Sequence, residues 1–319
     1  MQKLSIKNTV VEKFLLNYGL YAAMMIIIVV FAVLDPNFFK FSNIMNIFEQ
    51  SAYFIVCAIG MTFVLISGEV DLSVGGVLAA LTVFGTELIN RTRNITLSIL
   101  IMAGAALVVG LLNGFFVAKM GLPAFISTIA VGYIARGLAG YYTSGNTVYS
   151  SFTAFTNFAW NRVFGIPVLL IIAAFVLLVT VYILNFTTYG RTVFSYGASK
   201  KVTRFMGINY KATGISVYVI SAFCVLIGAL MVSSRSGVAR FSTLPNLQME
   251  CIAASVIGGT SLTGGKGSLP GAAFGVLLLA LIKSGLNGLG VYPFWQEVFI
   301  GVIIIFAALI DSYKTRSNA

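Results

Sequence analysis

The 319-residue chain contains no histidine, and this absence excludes several kinds of chemistry. Histidine is the commonest metal ligand and the side chain whose unperturbed pKa lies nearest to neutral pH. Ser-His-Asp triads and histidine-ligated zinc sites are therefore excluded. No pair of carboxylates has a spacing that is typical of general acid–base catalysis. The sequence does not favour an enzyme, and we expect no catalytic residue, no metal site and no cofactor.

Charged residues are also scarce, at 9% of the chain, whereas soluble proteins have about 25%. Hydrophobic residues make up 59%, and the mean hydropathy is +0.98. Long runs such as 21–34 and 168–184 are continuously apolar, unlike the alternating strands of membrane barrels. The few cysteines, Cys57, Cys224 and Cys251, lie in apolar runs and are interpreted as small buried hydrophobic residues. The composition predicts an all-α, polytopic membrane protein.

The apolar runs predict about ten transmembrane helices, at about 20 residues per span. The predicted spans are 14–34, 44–67, 72–89, 95–118, 122–143, 164–186, 212–233, 246–263, 269–289 and 293–310. These spans leave only loops, with no room for a soluble domain of about 100 residues. Residues 1–319 are therefore predicted to form a single transmembrane domain.

The distribution of basic residues predicts the orientation, because short loops rich in Lys and Arg stay in the cytoplasm. If both termini are cytoplasmic, twelve basic residues lie in inner loops and tails and six in outer loops. Arg91 and Arg93, on a short outer loop, count against this orientation. The net charge of +11 is explained by such loops and does not indicate nucleic acid binding. We expect a multi-pass protein with both termini cytoplasmic.

The basic segment, residues 188–211, is the most informative interruption of the apolar sequence. It carries Arg191, Lys200, Lys201, Arg204 and Lys211 and no acidic residue. Apolar runs long enough to cross a bilayer flank it on both sides. The segment is long enough for a short helix, on which another protein could act from the cytoplasm.

Two glycine-rich stretches, 68–76 and 258–271, are predicted to be breaks or re-entrant points in the helices. Each offers Gly for sharp turns and Ser, Thr or Asp to cap the following helix. The second stretch does not fit a Walker A loop, which needs Gly, four residues and then Gly-Lys-Ser/Thr. Here Thr260 stands at the first glycine position, and Gly267 follows Lys266. We do not expect the chain alone to bind ATP.

Four motifs give the sequence a resemblance to the permease subunits of bacterial ABC sugar importers, the branch that includes the ribose permease. They are GMTFVLISGEVDLSVG (60–75), LPAFIST (122–128), TRFMGIN (203–209) and IAASVIGGTSLTGGKG (252–267). The resemblance extends from about Met45 to Asp311. It implies a type II ABC importer-like fold in the bacterial plasma membrane, without an ATPase of its own.

The resemblance also implies the partners of such a permease. Two copies, or two related chains, would pair with two cytoplasmic ABC ATPase subunits. A periplasmic or lipid-anchored sugar-binding protein would deliver the monosaccharide, which would be ribose or a related sugar. The fold class and partners are thus expectations from the family.

In the basic segment, the resemblance places a coupling helix that contacts the ATPase. Gly197, Arg204, Gly207 and Ile208 match the family pattern. We expect Phe205 and Met206 to anchor this contact, while Lys200 and Lys201 meet an acidic rim. Ser199, where Asn is usual, and residues 200–202, usually Glu-Ala-Ala or similar, depart from the pattern, so the matching ATPase cannot be inferred.

A translocation path is predicted where hydroxyl groups, small residues and ionisable groups lie in membrane context, because intramembrane charges usually line water, pair up or mark a path. The predicted path residues are Ser67, Asp71, Ser73, Thr128, Arg136, Glu250, Ser255, Thr260, Ser261 and Lys283. For Glu250 and Lys283, mutual pairing or a polar cavity is one alternative and snorkelling is the other. The family often has Asn where Lys283 stands, so the identity of the sugar is not carried over.

Two other functions remain open at this point. A channel would need a ring of acidic residues or a carbonyl filter motif, and the sequence shows neither. A proton- or sodium-coupled secondary transporter would need ion-binding carboxylates. These are few, but Glu250 keeps this alternative open.

Overall fold

The computed structural model describes residues 24–302 and residue 305, and most of this part is helical. The helices are α1 (Met24–Leu34 of the described residues), α2 (Phe41–Ile66), α3 (Val74–Thr92), α4 (Ile95–Gly114), α5 (Ala124–Thr143), α6 (Thr153–Trp160), α7 (Val168–Phe186), α8 (Thr188–Ala198), α9 (Lys200–Phe205), α10 (Tyr210–Ser236), α11 (Leu247–Ile257), α12 (Leu269–Gly288) and α13 (described over 293–302). A π-helical turn, Phe115–Lys119, continues α4. The strands are β1 (Val148–Tyr149), antiparallel to β4 (Val238–Ala239), and β2 (Arg162–Val163), antiparallel to β3 (Ile166–Pro167).

Helix α2 lies at the centre of the fold. It contacts α7, α10, α11 and α12, and nearly all its residues from Ser51 to Ile66 are buried. A helix that is apolar on all sides is expected to be enclosed in this way. Gly60 allows α10 to approach closely, since a Cβ there would lie 2.9 Å from the Cα of Ser221. The predicted buried cysteines are also confirmed, and Cys57 lies in this core.

Within the described residues, six helices are long and apolar enough to span a membrane, so the prediction of about ten is not confirmed. These six are Phe41–Ile66, Ile95–Lys119, Ala124–Thr143, Val168–Phe186, Tyr210–Ser236 and Leu269–Gly288. Helix α3 begins in the third predicted span, 72–89, and extends past it to Thr92, and it is less apolar because Glu87, Asn90 and Arg91 lie near its end. The first and last predicted spans, 14–34 and 293–310, extend outside the described residues, as do both termini.

The eighth predicted span, 246–263, contains a shorter helix than expected. Helix α11 has 11 residues and ends at Ile257. Gly258 then packs directly on Gly271 of α12, because a Cβ at Gly258 would lie 2.2 Å from the carbonyl carbon of Gly271. Gly259 has φ +91°, a backbone conformation that continues no right-handed helix. The break predicted at 258–271 is therefore present.

Basic residues occupy both ends of the helical bundle, and the six predicted outer ones share one end. Lys40 precedes the first residue of α2, and Arg162 and Arg235 pair with Glu49 of the same helix. Arg91 donates to the Tyr142 hydroxyl, Arg93 to the Ser151 carbonyl and Arg240 to the Thr147 hydroxyl. The basic segment lies at the opposite end of the bundle, beside the C-terminus of α2. The two ends are separated by the length of α2, whose 26 residues rise about 39 Å.

Candidate functional site

Both predicted breaks meet the basic segment at one point. The amide of Gly265 donates a 2.8 Å hydrogen bond to the carbonyl of Ile66, the last residue of α2. Gly197 of α8 lies against both groups, since a Cβ there would be 1.8 Å from the Ile66 oxygen and 2.7 Å from the Gly265 nitrogen. We call Gly68, Gly197, Gly264 and Gly265 the glycine junction.

Glycine is required in the junction for two physical reasons. Gly68, Gly264 and Gly265 have φ of +76°, +82° and +73°, a left-handed region that glycine adopts without steric cost. In addition, a Cβ on Gly264 would lie 2.7 Å from the Cα of Gly68 and 2.8 Å from the Gly197 oxygen. Three chain segments therefore touch through their backbones. A displacement of the basic segment acts directly on both breaks.

The basic segment forms two short helices, α8 and α9, where the sequence predicted room for one. The side chains of Thr187 and Ser199 accept from the amides of Gly190 and Val202 and cap the two helices. Buried Val193 and Tyr196 are the main side chains that α8 packs against the bundle. Thr203 of α9 is fully buried and donates to the Ser199 carbonyl at 3.0 Å.

The opposite side of α9 is exposed and mixes apolar with basic side chains. Phe205 is 79% exposed and Met206 is 65% exposed. Lys201 and Arg204 are also exposed beside them, whereas Ile208 is half-buried. Gly207 follows with φ +74° and turns the chain out of α9. We call Lys201, Arg204, Phe205 and Met206 the exposed face; its two large apolar groups are suited to burial against another protein.

Lys200 provides a second link between the basic segment and the first break. Its ammonium group forms an ion pair with Glu69, which follows Gly68 of the junction. Burial lowers the pKa of Lys200, but the hydrogen bond to Glu69 and the neighbouring Tyr196 outweigh this effect and raise the pKa above its usual value. Lys200 therefore stays charged at neutral pH. Of the two lysines predicted to meet an acidic rim, Lys200 is thus paired with Glu69, whereas Lys201 is exposed beside Arg204.

Three predicted path residues, Asp71, Ser73 and Thr128, come together in a buried polar cluster. The Asp71 carboxylate accepts from the Ser73 hydroxyl at 2.5 Å, the Ser73 amide at 3.0 Å and the Ser221 hydroxyl at 2.8 Å. Asn113 donates to the Ser73 hydroxyl, and Thr128 accepts from the amide of residue 72, both at 2.9 Å. The cluster fastens the first break to α4, α5 and α10. Because it is buried and hydrogen-bonded internally, it is a closed anchor in this conformation.

Replacing Asp71 by alanine should destabilise the protein strongly. The hydroxyls of Ser73 and Ser221 would lose their acceptor, and each buried donor left unsatisfied costs about 1–3 kcal/mol. We expect a clear fall in the thermal unfolding midpoint of the purified protein in detergent. Asp71→Asn keeps one acceptor oxygen and should lose less, and Glu297→Ala, an exposed acidic residue of α13, should change little. An unchanged midpoint for Asp71→Ala would show that the cluster is not an anchor.

The other predicted path residues fall into separate places. Ser67 donates to the Val64 carbonyl at 2.6 Å, and Ser255 pairs with Thr62 of α2 at 2.9 Å. Thr260 and Ser261 lie buried in the second break. The Arg136 guanidinium, half-buried on α5, donates to the Pro245 carbonyl at 3.3 Å. The ten predicted residues are therefore not lined up along one open path in this conformation.

Glu250 and Lys283 form an ion pair, in agreement with the first of the two alternatives. The ammonium nitrogen of Lys283 lies 2.8 Å from both carboxylate oxygens of Glu250. The pair lines a cavity of about 510 Å³ between α2 and α12, which we call the α2–α12 cavity. Each charge is thus met by the other within the chain, as the pairing alternative requires.

Sequence reasoning missed Asn113 and Ser221, which complete the buried cluster. Both are polar residues in otherwise apolar helices, and this signal could have identified them. It also missed Glu49, a buried carboxylate that pairs with Arg162 and Arg235 from distant parts of the chain. Nothing local in the sequence indicates these partners.

The chain is similar in sequence to known transport permeases. A family model described as "Branched-chain amino acid transport system / permease component" matches residues 43–308. The ribose import permease RbsC of Haemophilus influenzae is 32% identical over 317 residues, 98% of each chain. The ribose import permease of Escherichia coli K12 is 32% identical over 92% of each chain. The L-arabinose transport system permease AraH of that organism is 30% identical over 95% of this chain and 92% of its own.

No solved structure is significantly similar to the chain. The sugar permeases confirm the resemblance seen in the four motifs, and the match covers most of the bundle, including both breaks and the basic segment. The chain therefore belongs to the family of branched-chain amino acid transport system permease components.

Proposed function

We propose that this chain is the permease subunit of an ATP-driven importer of a monosaccharide, ribose or a related sugar. The observation that carries the proposal is the exposed face of α9, placed next to a glycine junction that joins both helix breaks. A soluble ATPase that binds this face and moves it would act on the interior of the bundle through backbone contacts. The names of the similar permeases, for ribose and arabinose, support the class of substrate.

The same arrangement supports a particular set of partners. Two cytoplasmic ATPase subunits would act on two permeases, either two copies of this chain or this chain and a related one. A sugar-binding protein would deliver the substrate to the end of the bundle that carries Arg162, Arg235 and Arg240. The chain would act as a single transmembrane domain in the bacterial plasma membrane, with both termini cytoplasmic.

Reconstitution tests the proposed function. The chain would be placed in proteoliposomes with an ABC ATPase and a sugar-binding protein from the same organism, and the uptake of labelled ribose, arabinose and leucine would be measured. We expect uptake of one sugar only when ATP and all three components are present. The chain alone should neither transport sugar nor bind ATP. Saturable ATP binding by the chain alone, or uptake of leucine and no sugar, would refute the proposal.

The ion pair between Glu250 and Lys283 does not favour a proton- or sodium-coupled transporter. Glu250 was the carboxylate that kept this alternative open. Its two oxygens are both within 2.8 Å of an ammonium group, which already neutralises its charge. Abolition of sugar uptake by an ionophore, in proteoliposomes supplied with ATP, would restore this alternative.

The proposed orientation predicts opposite labelling of two exposed positions. Asn157 lies on α6 at one end of the bundle, and Lys201 lies on α9 at the other. Single cysteines would replace each residue in a variant without Cys57, Cys224 and Cys251. In intact cells, an impermeant maleimide should modify Asn157→Cys and spare Lys201→Cys until the membrane is broken. The reverse pattern would overturn the orientation.

A further inference from the structure

The α2–α12 cavity is lined by an unusual number of side-chain amides. Asn43, Asn46 and Gln50 of α2, Asn287 of α12 and Asn37 of the preceding turn all line it. An amide presents both donors and acceptors. A hydroxyl group also donates and accepts, so a wall of amides matches a molecule with several hydroxyl groups. The volume of about 510 Å³ lies within the range of small-molecule sites, which is about 300–1,000 Å³.

The charges around the cavity balance and do not favour an ion. Two carboxylates, Asp35 and Glu250, and two ammonium groups, Lys40 and Lys283, line it. Glu250 and Lys283 already bind each other, so neither presents an unpaired charge in the cavity. Asp35 and Lys40 also line the cavity, so the preference for a neutral solute rests on the five side-chain amides and not on an absence of charge.

A second cavity adjoins the first and opens on the end of the bundle that carries the arginines. It has a volume of about 560 Å³ and is lined by Trp160, Arg235 and Arg240, among others. Gln50 and Tyr53 line both cavities, so these two side chains of α2 stand between them. Arg235 is held by Glu49 and Asn46, which leaves the passage without an unpaired buried carboxylate.

Gln50 is placed to control movement between the cavities. Its side chain is exposed to them, and no hydrogen bond to another residue of the described part fixes it. An amide without a fixed partner can exchange hydrogen bonds with a passing hydroxyl at little cost. Asn43, in contrast, donates to the Phe38 carbonyl and accepts from Ser284.

We propose that the α2–α12 cavity is a transient binding site for a neutral, polyhydroxylated molecule of monosaccharide size, which enters past Gln50 from the second cavity. The inference rests on the proposed import function and adds where the solute binds and why a sugar is accepted over a branched-chain amino acid. The site is open, and apolar residues such as Ile47, Phe54 and Ala280 complete its lining between the amides, so we expect it to hold its solute weakly and release it.

Protection from cysteine labelling tests the site. Gln50→Cys would be made without Cys57, Cys224 and Cys251, and the full complex placed in nanodiscs, where both faces are accessible. The rate of maleimide labelling would be measured with ribose, arabinose or leucine at about 100 mM, enough to fill a site of millimolar Kd, which corresponds to about −4 kcal/mol. Asn146→Cys, an exposed loop residue at the same end but outside both cavities, is the matched control.

We expect the sugar that the complex transports to slow the labelling of Gln50→Cys severalfold, whereas leucine has no effect and Asn146→Cys reacts at the same rate throughout. Equal protection by leucine, or no protection by the transported sugar, would overturn the site. Gln50→Leu and Asn43→Leu should also reduce sugar uptake, unlike Asn185→Leu on the exposed side of α7. Normal sugar uptake by both cavity variants would refute the site and leave the proposed function standing, whereas absence of sugar uptake by the unmodified complex would refute the function itself.

Discussion

Gly197→Ala is expected to abolish ATP-dependent uptake. The new Cβ would lie 1.8 Å from the carbonyl oxygen of Ile66 and 2.7 Å from the amide nitrogen of Gly265. Both are backbone atoms, so no side chain can rotate away, and the 2.8 Å hydrogen bond between them must break or shift. Overpacking of a core typically costs about 1–3 kcal/mol. A clash with backbone in two other segments should lie at or above the upper end of this range.

The measurement is sugar uptake by proteoliposomes that contain the whole complex, together with the thermal unfolding midpoint of the purified variant. Gly104→Ala in α4 is the matched control, because no atom lies within 4 Å of the Cβ it adds. This control should transport normally and unfold at the same temperature or slightly above, since alanine favours a helix more than glycine does. If Gly197→Ala transports like the unmodified protein, the junction does not join the three segments tightly.

Phe205→Ala should abolish coupled transport while the protein still inserts and is expressed normally. Phe205 is 79% exposed, so its removal leaves the packing of this chain unchanged. At an interface, a few buried aromatic or large apolar side chains usually supply most of the binding energy. Phe205 and Met206 are the large apolar groups beside the glycine turn, and we expect them to anchor the ATPase. Loss of one anchor should remove roughly 2 kcal/mol or more of binding free energy.

Uptake and sugar-stimulated ATP hydrolysis by the reconstituted complex measure this effect. Tyr141→Ala removes an 87% exposed aromatic side chain from the opposite end of the bundle and should preserve ATPase binding. Lys201→Ala should weaken coupling mildly and mainly at low salt, because exposed charges at a rim are screened. Gly207→Val should abolish transport, since valine is strongly disfavoured at φ +74°. Wild-type uptake and stimulated hydrolysis by Phe205→Ala would show that α9 is not the coupling element.

The sequence predicts the local features of this fold well and its long-range contacts poorly. Composition and apolar runs identify a helical membrane protein, and glycines mark both breaks, because these signals depend on neighbouring residues. The contact of Gly197 with Ile66 and Gly265 joins three distant segments, and no local pattern indicates it. The predicted number of spans is also not confirmed, because an apolar run shows no difference between a full span and a short buried helix such as α11.

In the candidate site, too, the sequence indicates local features but not long-range contacts. The basic segment and the apolar residues of its exposed face stand out in the sequence, because polar residues are rare around them. The pairing of Lys200 with Glu69 cannot be seen in the sequence, although both residues are polar and near a glycine. Side-chain type indicates that a residue needs a partner, but only the packing of the helices decides which partner it meets. For Glu250 and Lys283, the sequence therefore indicated that each needs a partner or a polar cavity, but it did not decide between pairing and snorkelling.

The glycine junction and the exposed face of the basic segment should tolerate mutation very differently. At the glycine junction an added Cβ would clash with backbone at Gly197 and Gly264, and Gly68 and Gly265 have positive φ, which other residues rarely adopt. On the exposed face the side chains project away from the bundle, so they can be replaced without altering its interior. If α9 binds the ATPase as proposed, mutations on the exposed face should change which ATPase is accepted and leave the contacts of the glycine junction intact. A hybrid importer should be obtainable by exchanging the side chains of α9 alone, with the glycines kept.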